Sequence, residues 1–225
     1  MARVPELAPR RYRFLVFDWD GTLVDSTTMI AEALRSACRD LDIDVPELDT
    51  ARHVIGLGLV DSLRHVAPTL APERYRDLAA RYRHHYIEGE AAIPLFAGMH
   101  ELLAELDRAG FLLGVATGKS RAGLDRQLEQ HRLGRRFVAT RCADEGFPKP
   151  NPDMLLHLMR HMGTDPKETL MIGDTTHDVE LARNAGVCAV AVSYGAHPTA
   201  SLAEGGALAV VHSVEELRVW LGENA

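Results

Sequence analysis

Four apolar residues in succession, Phe14-Leu15-Val16-Phe17, stop abruptly at Asp18-Trp19-Asp20-Gly21-Thr22. A strand with one face in water alternates apolar and polar residues. A strand that is apolar at every position needs cover on both faces, as in a parallel sheet layered between helices. Similar runs follow at 111–116, 170–172 and 187–192, with a weaker one at 207–211. Helical periodicity lies between them, at about 99–109, 120–131, 153–162, 176–185 and 214–221. Strand and helix in alternation predict an α/β fold with a doubly wound parallel sheet.

One stretch departs from this alternation. From Thr27 to about Ala92 the periodicity is helical and no strand is predicted. Met29, Ile30, Ala33, Leu34, Ala37 and Leu41 form one apolar stripe; Tyr75, Leu78, Ala79, Tyr82 and Tyr86 form another. Pro46, Pro68, Pro72 and Gly56-Leu57-Gly58 punctuate the segment. A chain of 225 residues exceeds one average domain by about half, and the excess is assigned to this insertion. The expected division is a core of 1–25 and 95–225 with an all-helical subdomain at 26–94, hinged near 24–26 and 94–98.

Composition narrows the function classes. Apolar residues make up 46% and charged residues 25% of the chain, the balance of a globular protein and not of a disordered or fibrous one. No apolar run approaches the roughly 18 residues that span a membrane. Residues 1–13 hold a glutamate, two prolines and no apolar stretch suited to a secretory leader. A cytoplasmic protein with no membrane partner is therefore expected. Acidic residues outnumber basic ones, 32 to 25, for a net charge of −7. This argues against a nucleic-acid partner, which needs clustered Lys and Arg; the nearest basic cluster, 74–85, reads as a solvated helix face. Cys38, Cys142 and Cys188 are widely spaced and odd in number, so neither a disulfide framework nor a zinc site is supported. A monomer is expected, since the sequence presents no evident exposed apolar patch.

The polar residues that interrupt the strands carry the functional signal. Ligands of open α/β sheets bind beyond the carboxyl ends of the strands. Asp18 and Asp20 follow the first apolar run, Thr117-Gly118-Lys119-Ser120 the second, and Gly173-Asp174-Thr175-Thr176-His177-Asp178 a later one. Lys149 stands in Phe147-Pro148-Lys149-Pro150-Asn151-Pro152, just before a helix. Four carboxylates at one edge repel one another unless a cation holds them. Oxygen ligands alone suit a hard ion, and Mg²⁺ commonly takes one or two carboxylates together with substrate phosphate. A Thr-Gly turn that opens a helix offers a hydroxyl and N–H groups to an anion, and a lysine adds a point charge. These parts together describe a phosphoryl-transfer site.

The segment Asp18-Trp19-Asp20-Gly21-Thr22-Leu23-Val24-Asp25-Ser26 resembles motif I of the haloacid dehalogenase-like hydrolase superfamily. Thr117-Gly118 resembles its motif II, Lys149 its motif III and Gly173 to Asp178 its motif IV. The motifs occur in the family's order, and the resemblance covers the chain from about Phe14 to Gly195. The helical insertion is similar to the cap of the phosphoglycolate phosphatase and β-phosphoglucomutase branch. The resemblance implies a Rossmann-like core with Asp18 as nucleophile, forming an aspartyl-phosphate. It implies that Asp20 protonates the leaving alcohol and later deprotonates the hydrolytic water. Mg²⁺ would be held by the Asp18 carboxylate, the Asp20 backbone carbonyl and the Asp174 carboxylate, with Asp178 behind them or on a metal-bound water. Thr117 and the Gly118 N–H would bind phosphate oxygens, and Lys149 would offset charge on phosphate and nucleophile.

The activity so implied is Mg²⁺-dependent hydrolysis of a small phosphorylated metabolite, with phosphoglycolate, a sugar phosphate and a nucleoside monophosphate all open. A phosphomutase of the β-phosphoglucomutase type and a non-catalytic phospho-ligand binder are the alternatives. Asp20 argues against the binder and against a true dehalogenase, neither of which needs this acid. An isolated Asp-x-Asp-Gly is usually a turn, but three further motifs accompany it. A calcium loop is excluded because Met29 stands where such a loop requires glutamate. The eleven histidines, His84, His85, His177 and His197 among them, accompany no Ser or Cys nucleophile pattern and read as structural or solvated. Lys119 and Ser120 are assigned to the start of a helix, with a phosphate role for either as the secondary reading. Trp19 either packs beside the nucleophile or fills a position. Arg52, His53 and 56–58 read equally as a helix-connecting turn or as substrate-facing.

Overall fold

The computed structural model describes residues 11–225. The leader-free reading of 1–13 therefore falls largely outside the described residues. Six strands form one sheet: β1 (Phe14–Phe17), β2 (Leu112–Thr117), β3 (Ala139–Cys142), β4 (Thr169–Gly173), β5 (Cys188–Val192) and β6 (Ala209–Val211). Their order is β3-β2-β1-β4-β5-β6 and every pairing is parallel. The α/β, doubly wound expectation holds. Because β2 and β4 lie on opposite sides of β1, the crossovers diverge there and leave a crevice at the carboxyl ends of the three strands.

The apolar run of β1 is explained by its two faces. Leu15 and Phe17 belong to a core cluster with Met99, Leu103 and Leu217, while Phe14 and Val16 belong to another with Met154, Leu158 and Val179. Helices α5 (Met99–Arg108) and α10 (Val214–Asn224) supply the first cover, and α7 (Asp153–Met162) and α8 (Thr176–Asn184) the second. The remaining core helices are α6 (Arg121–Gln130) and α9 (Thr199–Glu204). Two elements escape the sequence reading. The edge strand β3, Ala-Thr-Arg-Cys, buries only its last residue fully and offers no apolar run. Helix α9 is six residues long, too short for a periodic signal.

Between β1 and α5 the chain is helical: α1 (Thr27–Asp40), α2 (Leu48–His53), α3 (Leu59–Val66) and α4 (Tyr75–Glu90). The stripes on α1 and α4 meet, burying Ile30, Ala33, Leu34, Ala37, Leu78 and Tyr86. The two connections to the sheet run side by side, the Asp25 N–H donating to the Pro94 carbonyl at 2.9 Å and the Phe96 N–H to that of Leu23 at 3.1 Å. Further contacts dock the segment on the core. His177 Nε2 and His197 Nε2 both donate to the His53 carbonyl, at 2.9 and 3.0 Å, and Arg126 pairs with the buried Glu90 at 2.9 Å. Among the described residues no helix is long and apolar enough to cross a membrane.

Candidate active site

The turn after β1 is shaped by what lies against it. The Asp18 N–H donates to the Ile172 carbonyl at 2.8 Å, which carries the ladder one residue past the strand and fixes Asp18 beside the end of β4. Gly21 has φ +81°, and a Cβ there would lie 2.1 Å from Asp174 Oδ2. Only glycine permits both the left-handed backbone and this approach, so the Asp-x-Asp-Gly turn is tight because a second carboxylate is pressed against it.

Carboxylate oxygens of Asp18, Asp174 and Asp178 lie within 4.8 Å of one another, all on buried residues. Five of the six carboxylate oxygens have a donor. Asp174 accepts from the Thr22 hydroxyl at 2.8 Å and from the Ala196 N–H at 2.7 Å. Asp178 Oδ2 accepts from the Thr175 N–H and hydroxyl, at 3.0 and 2.7 Å, closing a capping box at the start of α8. Lys149 Nζ, on a fully buried side chain, lies 2.6 Å from both Asp18 Oδ1 and Asp178 Oδ1. Asp18 Oδ2 is left buried without a hydrogen-bond partner.

Three buried carboxylates thus face one ammonium. Burial pushes the Asp18 carboxyl up to about 7 against the pull of Lys149, with Asp178 and Asp20 adding to the rise. Burial also drives Asp174 well up, aided by Asp18 and Asp178. Burial disfavours the charged form of Lys149, yet Asp178 and Asp18 more than offset it and hold the group above its ordinary value. An excess of buried negative charge, together with an orphaned carboxylate oxygen, is what a hard divalent cation with oxygen ligands would relieve. The residues present fit such an ion.

Asp20 turns away from the trio. One of its oxygens accepts from the Ser26 hydroxyl at 2.8 Å, and Lys119 Nζ lies 3.1 Å from both oxygens. Lys119 also donates to the Tyr86 hydroxyl and sits 4.7 Å from the centre of that ring. The Tyr86 hydroxyl accepts from Gln127 Nε2 at 3.1 Å, and Gln127 Oε1 accepts from Trp19 Nε1. Trp19 is therefore a core residue, edge-on to Phe137. Sequence reasoning missed Lys119: the position that it assigned to a helix start carries the cation of Asp20. The available signal was the adjacency of Lys119 to Thr117-Gly118, at the same sheet edge as Asp20. Ser120 does cap α6, accepting from the Gly123 N–H at 3.3 Å.

Thr117 ends β2 buried, its hydroxyl accepting from the Lys119 N–H at 3.2 Å. A Cβ on Gly118 would lie 2.5 Å from the Leu57 carbonyl oxygen and 2.7 Å from that of Gly56, so the helical segment rests directly on this turn. His177 and His197 serve that docking. Arg52 donates to the Thr28 hydroxyl at 3.1 Å and does not line the cavity, whereas Gly56, Leu57 and Gly58 do. This cavity, of about 680 Å³, separates the sheet edge from the helical segment. Asp18, Asp20, Thr117, Gly118 and Lys119 line its floor; Lys149, Asp174 and Asp178 lie beneath.

Residues 15–192 match the family model of haloacid dehalogenase-like hydrolases. The "Probable phosphatase IndB" of Dickeya dadantii is 37% identical over 84% of this chain and 84% of its own length. The "Tyrosine-protein kinase PtkA" of Mycobacterium tuberculosis is 31% identical over 93% of this chain and 72% of its own. A phosphoglycolate phosphatase of Vibrio vulnificus is 33% identical over 84% and 87%. Among solved structures, a predicted phosphatase from Clostridium acetobutylicum superposes with a TM-score of 0.84 at 27% identity, covering 94% of this chain and 99% of its own. Four motifs gathered at one sheet edge, a family match across most of the length and relatives named as phosphatases agree: the chain belongs to the haloacid dehalogenase-like hydrolases, in their phosphoglycolate phosphatase-like branch.

Proposed function

We propose that this phosphoric monoester hydrolase cleaves a small phosphomonoester by transfer of the phosphoryl group to Asp18 and then to water. The observation that carries the reading is Asp18 Oδ2, a buried carboxylate oxygen at the cavity floor with no partner, while Lys149 holds its twin. In the first step Asp18 Oδ2 attacks phosphorus, the ester P–O bond breaks, and Asp20 gives its proton to the leaving alcohol oxygen. In the second, water attacks the aspartyl-phosphate as Asp20 takes its proton, the bond to Asp18 breaks and inorganic phosphate leaves. Thr117 and the Gly118 N–H bind phosphate oxygens, and Lys149 offsets charge on phosphate and nucleophile. Residues 26–94 act as a cap over the core of 1–25 and 95–225, excluding water during the first transfer.

Mg²⁺ is the ion this reading assigns, held by the carboxylates of Asp18 and Asp174 and the Asp20 backbone carbonyl, with Asp178 fixing Lys149 behind them. When bound it neutralises charge between carboxylates and phosphate and polarises the phosphoryl group. The rest is positioning by the chain. The test is release of phosphate from p-nitrophenyl phosphate and a panel of phosphomonoesters with Mg²⁺ and with EDTA. Mg²⁺-dependent release is expected; a folded protein that releases none from any ester overturns the reading.

A further inference from the structure

The substrate's phosphate has a floor to sit on, and its leaving group must occupy what lies above. That chamber is lined by Ile30 and Leu34 of α1, Val54 and Ile55 after α2, and Tyr82 of α4. Its rim carries Val60 of α3 and Ile87 of α4, which are 60% and 57% exposed although both are large and apolar. Scattered exposed apolar residues need no explanation. Two that face one cavity from different helices, continuous with a buried apolar wall, are a different matter.

The charged groups that border the chamber are mostly engaged. Lys119 is held by Asp20, and Arg126 by Glu90. Asp61 lies near Arg64, and Asp144 accepts from the Arg121 N–H. Arg83 stands exposed at the rim. The interior hydroxyl of Ser62 is directed to the Val54 and Gly58 carbonyls, at 3.1 Å each. A two-carbon carboxylate on the leaving side would thus find its unengaged cation, Arg83, at the exposed rim and not against the apolar wall. Hexose hydroxyls that face Ile30, Leu34, Val54 and Ile55 would lose water without gaining a partner there, a cost that an apolar group does not carry. The volume, about 680 Å³, falls in the range that takes ligands of drug size.

We infer that the preferred substrate is a phosphomonoester whose leaving alcohol is apolar and of ring size, seated between Ile30, Leu34 and Tyr82, and not phosphoglycolate or a sugar phosphate. The inference rests on the phosphatase reading above and specifies its substrate class. Phosphate is held by the floor, while apolar burial supplies the discrimination.

The test compares primary-alcohol esters, so that leaving-group acidity is not what is read: 2-phenylethyl phosphate, phosphoglycolate and glucose 6-phosphate, with the full chain and Mg²⁺. The expected kcat/KM for 2-phenylethyl phosphate exceeds that for phosphoglycolate by about thirtyfold, the scale of burying one phenyl ring. Ile87→Lys and Val60→Lys, at exposed rim positions that tolerate the change, should each move that ratio toward phosphoglycolate by about tenfold. Equal rates within threefold, or either polar ester ahead, overturn the inference and leave the phosphatase reading standing. If no ester is hydrolysed the phosphatase reading falls, and calorimetric binding of 3-phenylpropylphosphonate against 3-phosphonopropionate then decides the chamber alone. Tighter binding of the aryl compound supports the apolar chamber; equal or weaker binding overturns it.

Discussion

At the sheet edge, Lys149, Asp18, Asp174 and Asp178 sit on three segments, the turn after β1, the loop before α7 and the β4–α8 junction, and are fixed by bonds of 2.6 to 3.0 Å to one another and to neighbouring Thr and backbone groups. Across the cavity, Ile30, Leu34, Tyr82 and Ile87 of two long helices border the space, the first three packed into the α1–α4 contact and Ile87 exposed at the rim. The floor is specified by polar atoms with directional partners, so a change of one atom is felt. The roof is specified by shape and apolar area, which tolerate exchange. The proposed function puts chemistry in the first region, and the proposed substrate class puts selectivity in the second.

The sharpest way to test the division is at the nucleophile. Asp18→Asn keeps the side-chain shape and the oxygen facing Lys149 while removing charge from a site where burial and like charges disfavour it. Turnover should fall by a factor on the order of 10⁴ or more, with Tm equal to or above that of the parent. Retained activity in phosphate-release assays would break the covalent mechanism. Lys149→Met is next. It strands two buried carboxylates, which costs about 3–5 kcal/mol when one partner of a buried pair is removed. Tm should fall by about 6–20 °C, and added Mg²⁺ should restore part of it. A Tm unchanged in EDTA would show that the ammonium does not hold the floor together.

Lys119 lies where floor and roof meet, between Asp20 of the core and Tyr86 of α4. Lys119→Met should lower kcat about tenfold, less than removal of a general acid outright, with Lys119→Arg recovering part of it. If KM alone rises, Lys119 binds substrate and does not position Asp20.

The same division explains what the sequence revealed. Polar residues placed just after unbroken apolar runs are conspicuous, which made Asp18, Asp20, Thr117, Gly118, Asp174 and Asp178 legible as one constellation, while Lys149 was legible from its proline-flanked loop before a helix and from the order of the motifs. Lys119 was not legible as the partner of Asp20, since a lysine just before a helix reads as part of the helix start and its contact depends on how two loops cross. The roof was legible as helices but not as a chamber. Ile30 and Leu34 lie on the stripe that packs α1 against α4, and periodicity cannot distinguish a residue that fills a core from one that borders a cavity. Strand β3 lacked a signal because half-buried Thr and Arg read as loop.

The junction at His53 offers the mildest perturbation of the roof. His197 Nδ1 accepts from the Thr176 N–H at 3.1 Å while its Nε2 donates to the His53 carbonyl at 3.0 Å, a pairing that only the neutral ring can make. Burial pushes His197 down to about 4 and lowers His177 as well. A histidine with a folded pKa below its unfolded value of about 6.5 contributes stability that is complete above that pH. The contribution drains away as pH falls toward 4, because the unfolded chain takes up the proton first. For His197 this amounts to about 2 kcal/mol, or about 4–8 °C in Tm, across the window. Carboxylates titrate in the same range, so the informative quantity is the difference between the parent and His197→Gln, both in EDTA. The variant should start lower at pH 7.5 and lose less on acidification to pH 4.5. In the parent, the protection factors of amides over 48–58, referred to the intrinsic exchange rate at each pH, should fall on acidification before those of β1 and β4, since α2 is tied to the core through this carbonyl. Parallel Tm curves for the two proteins would mean that the histidines fasten nothing, and that the roof is held by Glu90, Tyr86 and apolar contact alone.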